Sequence, residues 1–179
     1  CYNHSQRSIH NSMTSRLLVD KIEGKTTANT IEMPSGSVIQ YKQQQSSTKV
    51  TNSANSYVAS GVSIAFTPKF STSIIQVFWE GFLTKLASAS GGGGWALFKD
   101  SSALHDVASD SGPQPWEFYK DETRFFGRLT RTHSEVAGNT NSRTYTLRFR
   151  GYDSMAVDVN NTSGGGTAYE IMTIMEIAQ

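Results

Sequence analysis

Three groups of residues in this 179-residue chain have the types that chemistry requires. The first is Gly24-Lys25-Thr26, which ends the way a phosphate-binding loop ends. That loop also needs a glycine five positions before Gly24, and Val19 stands there. It needs a following helix whose N-terminal amides cradle the phosphate, and Pro34 and Gly36 leave little room for one. The triplet reads as an exposed turn. The second group is acidic and imidazole: His105, Asp106 and Asp110, then Glu117, Asp121 and Glu122, then His133 and Glu135. None has the spacing that brings two imidazoles to one metal ion. A carboxylate pair for glycoside hydrolysis depends on a separation that sequence positions do not set, and the GxSxG nucleophile elbow is absent. These residues read as loop and strand-end charges, so no catalytic residue, metal or cofactor is expected. The third group is arginine: Arg124, Arg128, Arg131, Arg143, Arg148 and Arg150. On strands, Arg148 and Arg150 share one face, as do Arg124 and Arg128. They suit a cross-strand ladder with Glu122 and Glu135, or contact with an anionic sugar or a neighbouring subunit. A net charge of +1 weighs against a strong anion site and gives no footprint for nucleic acid.

Sugar binding would instead show as aromatic rings in loops, because ring faces stack on the apolar faces of sugars. Trp95, beside the glycines 91–94, and Trp116 and Tyr119, after a Pro-rich stretch, are the candidates for contact with a ligand or host surface.

The elements that must carry these residues are strands. Ser73–Leu86 (SIIQVFWEGFLTKL) is the longest apolar-rich run. At period two, Ile74, Phe78, Phe82 and Leu86 fall on one face and Ile75, Val77, Trp79 and Leu83 on the other. β-Branched and aromatic residues on both faces predict a central strand covered on both sides, if need be by a neighbouring subunit. Ser37–Gln45, Val62–Phe66, Trp95–Phe98, Arg124–Thr132, Arg143–Arg150 and Ala168–Ala178 read as further strands. Arg143–Arg150 alternates as a half-exposed strand should. Gly91–Gly94 reads as a flexible hairpin connection, and 101–116 as a long loop. Charged residues make up only 17% of the chain, against roughly 25% in typical soluble domains. Ser, Thr, Asn, Gln and Gly supply the polarity, which suits sheet faces and turns. The expected fold is all-β: an antiparallel, jelly-roll-like β-sandwich over residues 35–179. Residues 1–34 are expected to be a short extended attachment arm. Its Leu17, Leu18, Val19 and Ile22 are too few to make a core, so they are candidates for a particle or subunit contact. The single cysteine, Cys1, offers neither an internal disulfide nor a Cys-based zinc site. No run has the length of a transmembrane helix, and no membrane insertion is expected.

The order Leu17–Gln40 (LLVDKIEGKTTANTIEMPSGSVIQ), then VSIAFTPKFSTSIIQVFWEGF, then the closing IMTIMEIA resembles small tail-fibre or appendage proteins of tailed phages. The likeness spans residues 16 to about 86 and the last strand. It implies a virion component, a homotrimer and no particular ligand. Other virion proteins and host-surface polysaccharide are the further partners expected, and, with no catalytic constellation in the sequence, no enzymatic activity. A capsid decoration or head-fibre protein and a free carbohydrate-binding module are the alternatives.

Overall fold

The structure is a computed structural model that describes residues 33–85, 91–104, 117–120, 125–161 and 168–179, with the backbone alone for 117–120 and 125. Residues 33–179 make one compact unit. The expected arm, with Leu17, Leu18, Val19 and Ile22, lies outside the described residues.

Among the described residues there are eleven strands and no helix. They are β1 (Val38–Ser46), β2 (Val50–Asn52), β3 (Val58–Phe66), β4 (Ile74–Lys85), β5 (Gly91–Lys99), β6 (Ser102–Ala103), β7 (Glu117–Lys120), β8 (Phe125–Val136), β9 (Arg143–Tyr152), β10 (Val157–Val159) and β11 (Glu170–Ile177). All pairings are antiparallel, in two sheets. In the first, β4 is paired along its full length on one edge and along most of it on the other. β8 takes one edge, and β11 and β10 share the other end to end. β1 and β2 lie outside β11 and β10. The second sheet runs β3-β9-β5, with β6 and β7 both on the far edge of β5. Counting end-to-end strands as one position, the sheets read β1-β11-β4-β8 and β3-β9-β5-β7. The chain changes sheet at six of its ten connections, and the two antiparallel sheets pack face to face as the expected β-sandwich.

The core lies between the sheets. Ile75, Val77, Trp79 and Leu83 of β4 with Met172 and Ile174 of β11 face Val62, Ile64 and Phe66 of β3. Tyr145, Leu147 and Phe149 of β9 with Trp95 and Leu97 of β5 complete the same layer. Each such side chain contributes about 1.5–3 kcal/mol through burial. The open edge of β3 is closed by side chains of β1. Gln40 Nε2 donates to Thr67 O (3.0 Å), Lys42 Nζ donates to Ala65 O (2.8 Å), and Gln44 Oε1 accepts from Ser63 N (3.0 Å). An edge capped in this way offers no ladder to another chain.

Three expectations need correction. Gly91–Gly94 is not a hairpin connection: the glycines open β5, pairing with β9 on one edge and β7 on the other. Bare backbone is needed here because a turn packs against it. A Cβ at Gly91 would lie 2.9 Å from Met155 Cβ, and one at Gly151, beside Gly93 in the ladder, would lie 2.2 Å from Met155 O. β9 is not half-exposed either. It is the second sheet's central strand, and Arg150 on its outer side is buried against Tyr57. Finally, among the described residues β4 is covered on only one face, that of Ile75, Val77, Trp79 and Leu83; Trp79 is buried within the single chain.

Because the obstacle at Gly151 is a backbone carbonyl that cannot swing aside, Gly151→Ala should destabilise the fold by about 3 kcal/mol. Urea or guanidinium unfolding would measure this, and a wild-type midpoint would contradict the packing of Met155 on the glycines.

Candidate interaction surface

Three buried or half-buried carboxylates, Glu170, Glu176 and Glu135, have the chemistry a site could use. Glu170 opens β11 and points between the sheets, fully buried. Its Oε2 accepts from Ser60 Oγ on β3 (2.7 Å) and from Trp79 Nε1 on β4 (2.9 Å), and its Oε1 from Asn160 Nδ2 (3.4 Å). Space for it is left by Gly61, which sits at a φ of +130° where the β3–β9 register slips; a Cβ there would lie 3.1 Å from Glu170 Oε1. Burial pushes the Glu170 carboxyl above its ordinary value, and the three hydrogen bonds oppose this only in part. At the other end of β11, Glu176 accepts from the amides of Lys69 and Phe70 and from Ser73 Oγ (2.8, 3.0 and 2.6 Å), which pins the β3–β4 connection. Glu135 on β8 joins the sheets on the opposite side. It bonds Tyr145 Oη (2.5 Å) and Lys99 Nζ, with Arg143 and His133 each 3.8 Å away. Burial raises Glu135, but the hydrogen bonds from Lys99 and Tyr145 and the Lys99 and His133 charges outweigh it and hold the carboxyl below its ordinary value. Burial and the bond to Glu135 push the Tyr145 phenol up. Both oxygens of Glu135 are thus occupied, and the group is an inter-sheet tie rather than a poised base. Among the described residues no three His, Cys, Asp or Glu side chains gather as a metal site requires.

The arginines among the described residues serve the framework; Arg124 lies outside them. Arg143 Nη1 donates to Ala137 O (2.9 Å) and Nη2 to Asn139 O (2.9 Å). Arg148 and Arg150 do share a face, where they lie over the rings of Phe98 and Tyr57 at 4.5 and 5.2 Å. Arg131 lies over Trp95 at 4.5 Å. That last contact corrects an expectation. Trp95 is only 7% exposed, because its position opposite Phe149 in the ladder turns the ring into the core. It cannot serve as a platform for a sugar. Tyr119 lies on β7 opposite Gly92, with its side chain outside the described residues, as is the whole of Trp116.

The feature that stands out is the outer face of the first sheet. Ladder register sets its rows. Val38, Ile177, Ile74 and Val136 form an aliphatic row across β1, β11, β4 and β8. Tyr41, Met175, Gln76 and Ser134 come next, then Gln43, Thr173, Phe78 and Thr132, then Gln45, Ile171, Glu80 and Thr130. Phe82 and Arg128 lie beyond, with Tyr169 and Phe126 nearby. Val136 is 61% exposed, Tyr41 56%, Val38 52% and Phe78 39%. The only charges in these rows are Glu80 and Arg128, which pair at 2.7 Å. A shallow depression of about 430 Å³ surrounds Phe78, lined by Gln43, Glu80, Thr130, Thr132, Ile171 and Thr173. Large apolar side chains exposed together on one sheet face, interspersed with uncharged polar ones, make this face a candidate interaction site. Phe78 and Phe82 were visible in the sequence as one face of the long run. The contributions of β1, β8 and β11 were not singled out, although IMTIMEI, apolar at both parities, carried the signal.

No known family model matches the chain, and no curated protein sequence matches it. The surface is therefore read from its own chemistry.

The two carboxylates with displaced acidities act in opposite senses. Glu135, held low, contributes stability that is present above the ordinary carboxylate range and is lost as pH falls through its folded value. Glu170, held high, contributes stability that is complete below the ordinary range and is lost as pH rises through its folded value. Glu170→Gln removes the second loss. Its amide oxygen can still accept from Ser60 and Trp79, while its NH2 takes the place of Oε1 opposite Asn160 Nδ2, so Asn160 must flip and release Thr48 O to accept from it. Denaturant titrations should show the variant gaining on the wild type as pH rises from the ordinary carboxylate range through neutrality. A difference that stays constant with pH would contradict the buried-acid assignment. Glu170→Ala, which strands both donors, should cost about 3 kcal/mol.

Proposed function

We propose that this protein is a structural subunit of a phage virion, a tail-fibre or appendage component that acts as a homotrimer. In this reading residues 1–34 dock on other virion proteins and the sandwich projects outward, in reach of host-surface polysaccharide, with no catalytic or cofactor chemistry. The observation that carries it is the contrast between two kinds of surface. Among the described residues the charged clusters around Glu135, Glu170 and Glu176 are taken up by internal partners, whereas the outer face of the first sheet, with Val38, Tyr41, Phe78 and Val136 exposed and one ion pair, is a neutral face suited to assembly. The sequence resemblance at Leu17–Gln40 and at the closing strand points the same way. A place on the head, as a decoration or fibre protein, is compatible with the same surface.

A free carbohydrate-binding module is the second reading, and the depression at Phe78 favours it. An exposed ring beside amide, carboxylate and hydroxyl groups is what a pyranose needs.

Virions purified by density gradient from cells that make the protein should contain the 19.6 kDa chain in a fixed ratio to the other particle proteins. Its recovery only from the particle-free fraction would overturn the virion reading. Specific signals on a glycan array, lost in Phe78→Ala, would then select the carbohydrate-binding module.

A further inference from the structure

We infer that the outer face of the first sheet binds further copies of this chain, with the β8 margin of one copy set against the β1 margin of the next. This deepens the assembly reading above by naming the partner and the contact. Three observations carry it.

The first is extent. The face runs from Ile74 to Phe82 along β4 and across four strands, so usual strand spacings make it about 30 Å by about 20 Å, or about 600 Å² in projection. A stable interface takes about 800 Å² from each partner, and corrugation by side chains brings the accessible area close to that value. A small ligand at Phe78 would leave most of this surface wet.

The second is charge. Glu80 and Arg128 are the only charged side chains in the rows, and they are of opposite sign. A face with no net charge meets its own copy without repulsion, and Glu80 of one copy can reach Arg128 of another without stranding an ion. Nucleic acid or an anionic membrane surface would require a cationic cluster that these rows lack.

The third is the placement of the most exposed aliphatic groups. Val38 and Val136 end the same aliphatic row on opposite margins of the sheet, and each is more than half exposed. The inner residues of that row, Ile74 and Ile177, are already half covered by their neighbours. A head-to-tail rotation brings Val136 of one copy beside Val38 of the next and joins the rows into a closed ring, the arrangement that heterologous contacts favour when they close.

The test uses the full 179-residue chain. In sedimentation the wild type should run as an oligomer. Val136→Lys and Phe78→Lys should each weaken association about ten-fold or more, since each buries an unpaired charge at the contact. Both positions face solvent in the isolated chain, so their thermal melts should stay those of a folded sandwich. A gain-of-contact experiment guards against misfolding: with Cys1→Ser, the pair Val38→Cys and Val136→Cys together should give covalent oligomers on mild oxidation, and either change alone should give far less. A monomeric wild type, an assembly indifferent to both lysines, or no cross-linking by the double-cysteine chain would overturn the inference. Self-association through this face by a protein absent from virions would overturn the virion reading alone. A virion protein whose assembly ignores these substitutions would overturn the contact alone.

Discussion

The hydrogen bond from Trp79 Nε1 to Glu170 Oε2 fixes which face of β4 is inside. β4 is apolar at both parities, so hydrophobicity alone does not choose between its two faces, and slipping the register by one residue would exchange them. The indole N–H decides the matter. A buried Trp needs an acceptor, and the acceptor is the carboxylate at the start of β11, the strand paired with β4. Once Trp79 points inward, Ile75, Val77 and Leu83 follow by parity, as do Met172 and Ile174 on β11. Ser60 on the same carboxylate oxygen then draws β3 of the opposite sheet over them. The cost is a buried acid whose ionisation the fold resists.

The low content of charged residues follows from the same geometry. Sheet edges and inter-sheet corners need short, directional partners for backbone groups rather than long solvated ions. Asn52 shows this at the second sheet, where its Nδ2 donates to Ser56 O (2.8 Å) and Phe149 O (3.0 Å) and holds the turn against β9. Gln40, Lys42 and Gln44 do the equivalent work along β3. Buried ionisable groups are dispersed, each with its own partners: Glu170 and Glu176 at the two ends of β11, Arg150 against Tyr57, and Arg143 with Glu135 and Lys99 around Tyr145, where β8 meets the second sheet.

Sandwich class and most strand positions were legible because alternation in VSIAF and RTYTLRFR is a local signal. The tetraglycine misled for a physical reason. Glycine lowers strand propensity, but here the requirement is close approach, and that requirement comes from Met155, more than sixty residues away in the chain. Trp95 misled because its parity becomes readable only once Gly91–Gly94 is known to belong to the same strand. The alternation of Arg143–Arg150 was read correctly as a strand but wrongly as a solvent-facing one. Arginine covers an aromatic face as readily as it faces water, and Phe98 and Tyr57 lie far from it in sequence.

The outer face of the first sheet shows why apolar parity on both sides of a strand is informative in an all-β protein. In an α/β fold, helices cover both faces of a sheet. In this compact unit of strands, the second sheet can cover only one. The second sheet's own outer side meets the same problem locally, with Arg148 and Arg150 laid over Phe98 and Tyr57. The first sheet has no such cover among the described residues: its outer rows pass from Val38 to Val136 with one ion pair at their margin. Ile74, Phe78 and Phe82 are retained there beside residues such as Thr130, Thr132 and Ser134, which would make an adequate solvent face throughout. An aliphatic row that spans the sheet from edge to edge, ending in its two most exposed valines, has the form of a contact that continues into another subunit.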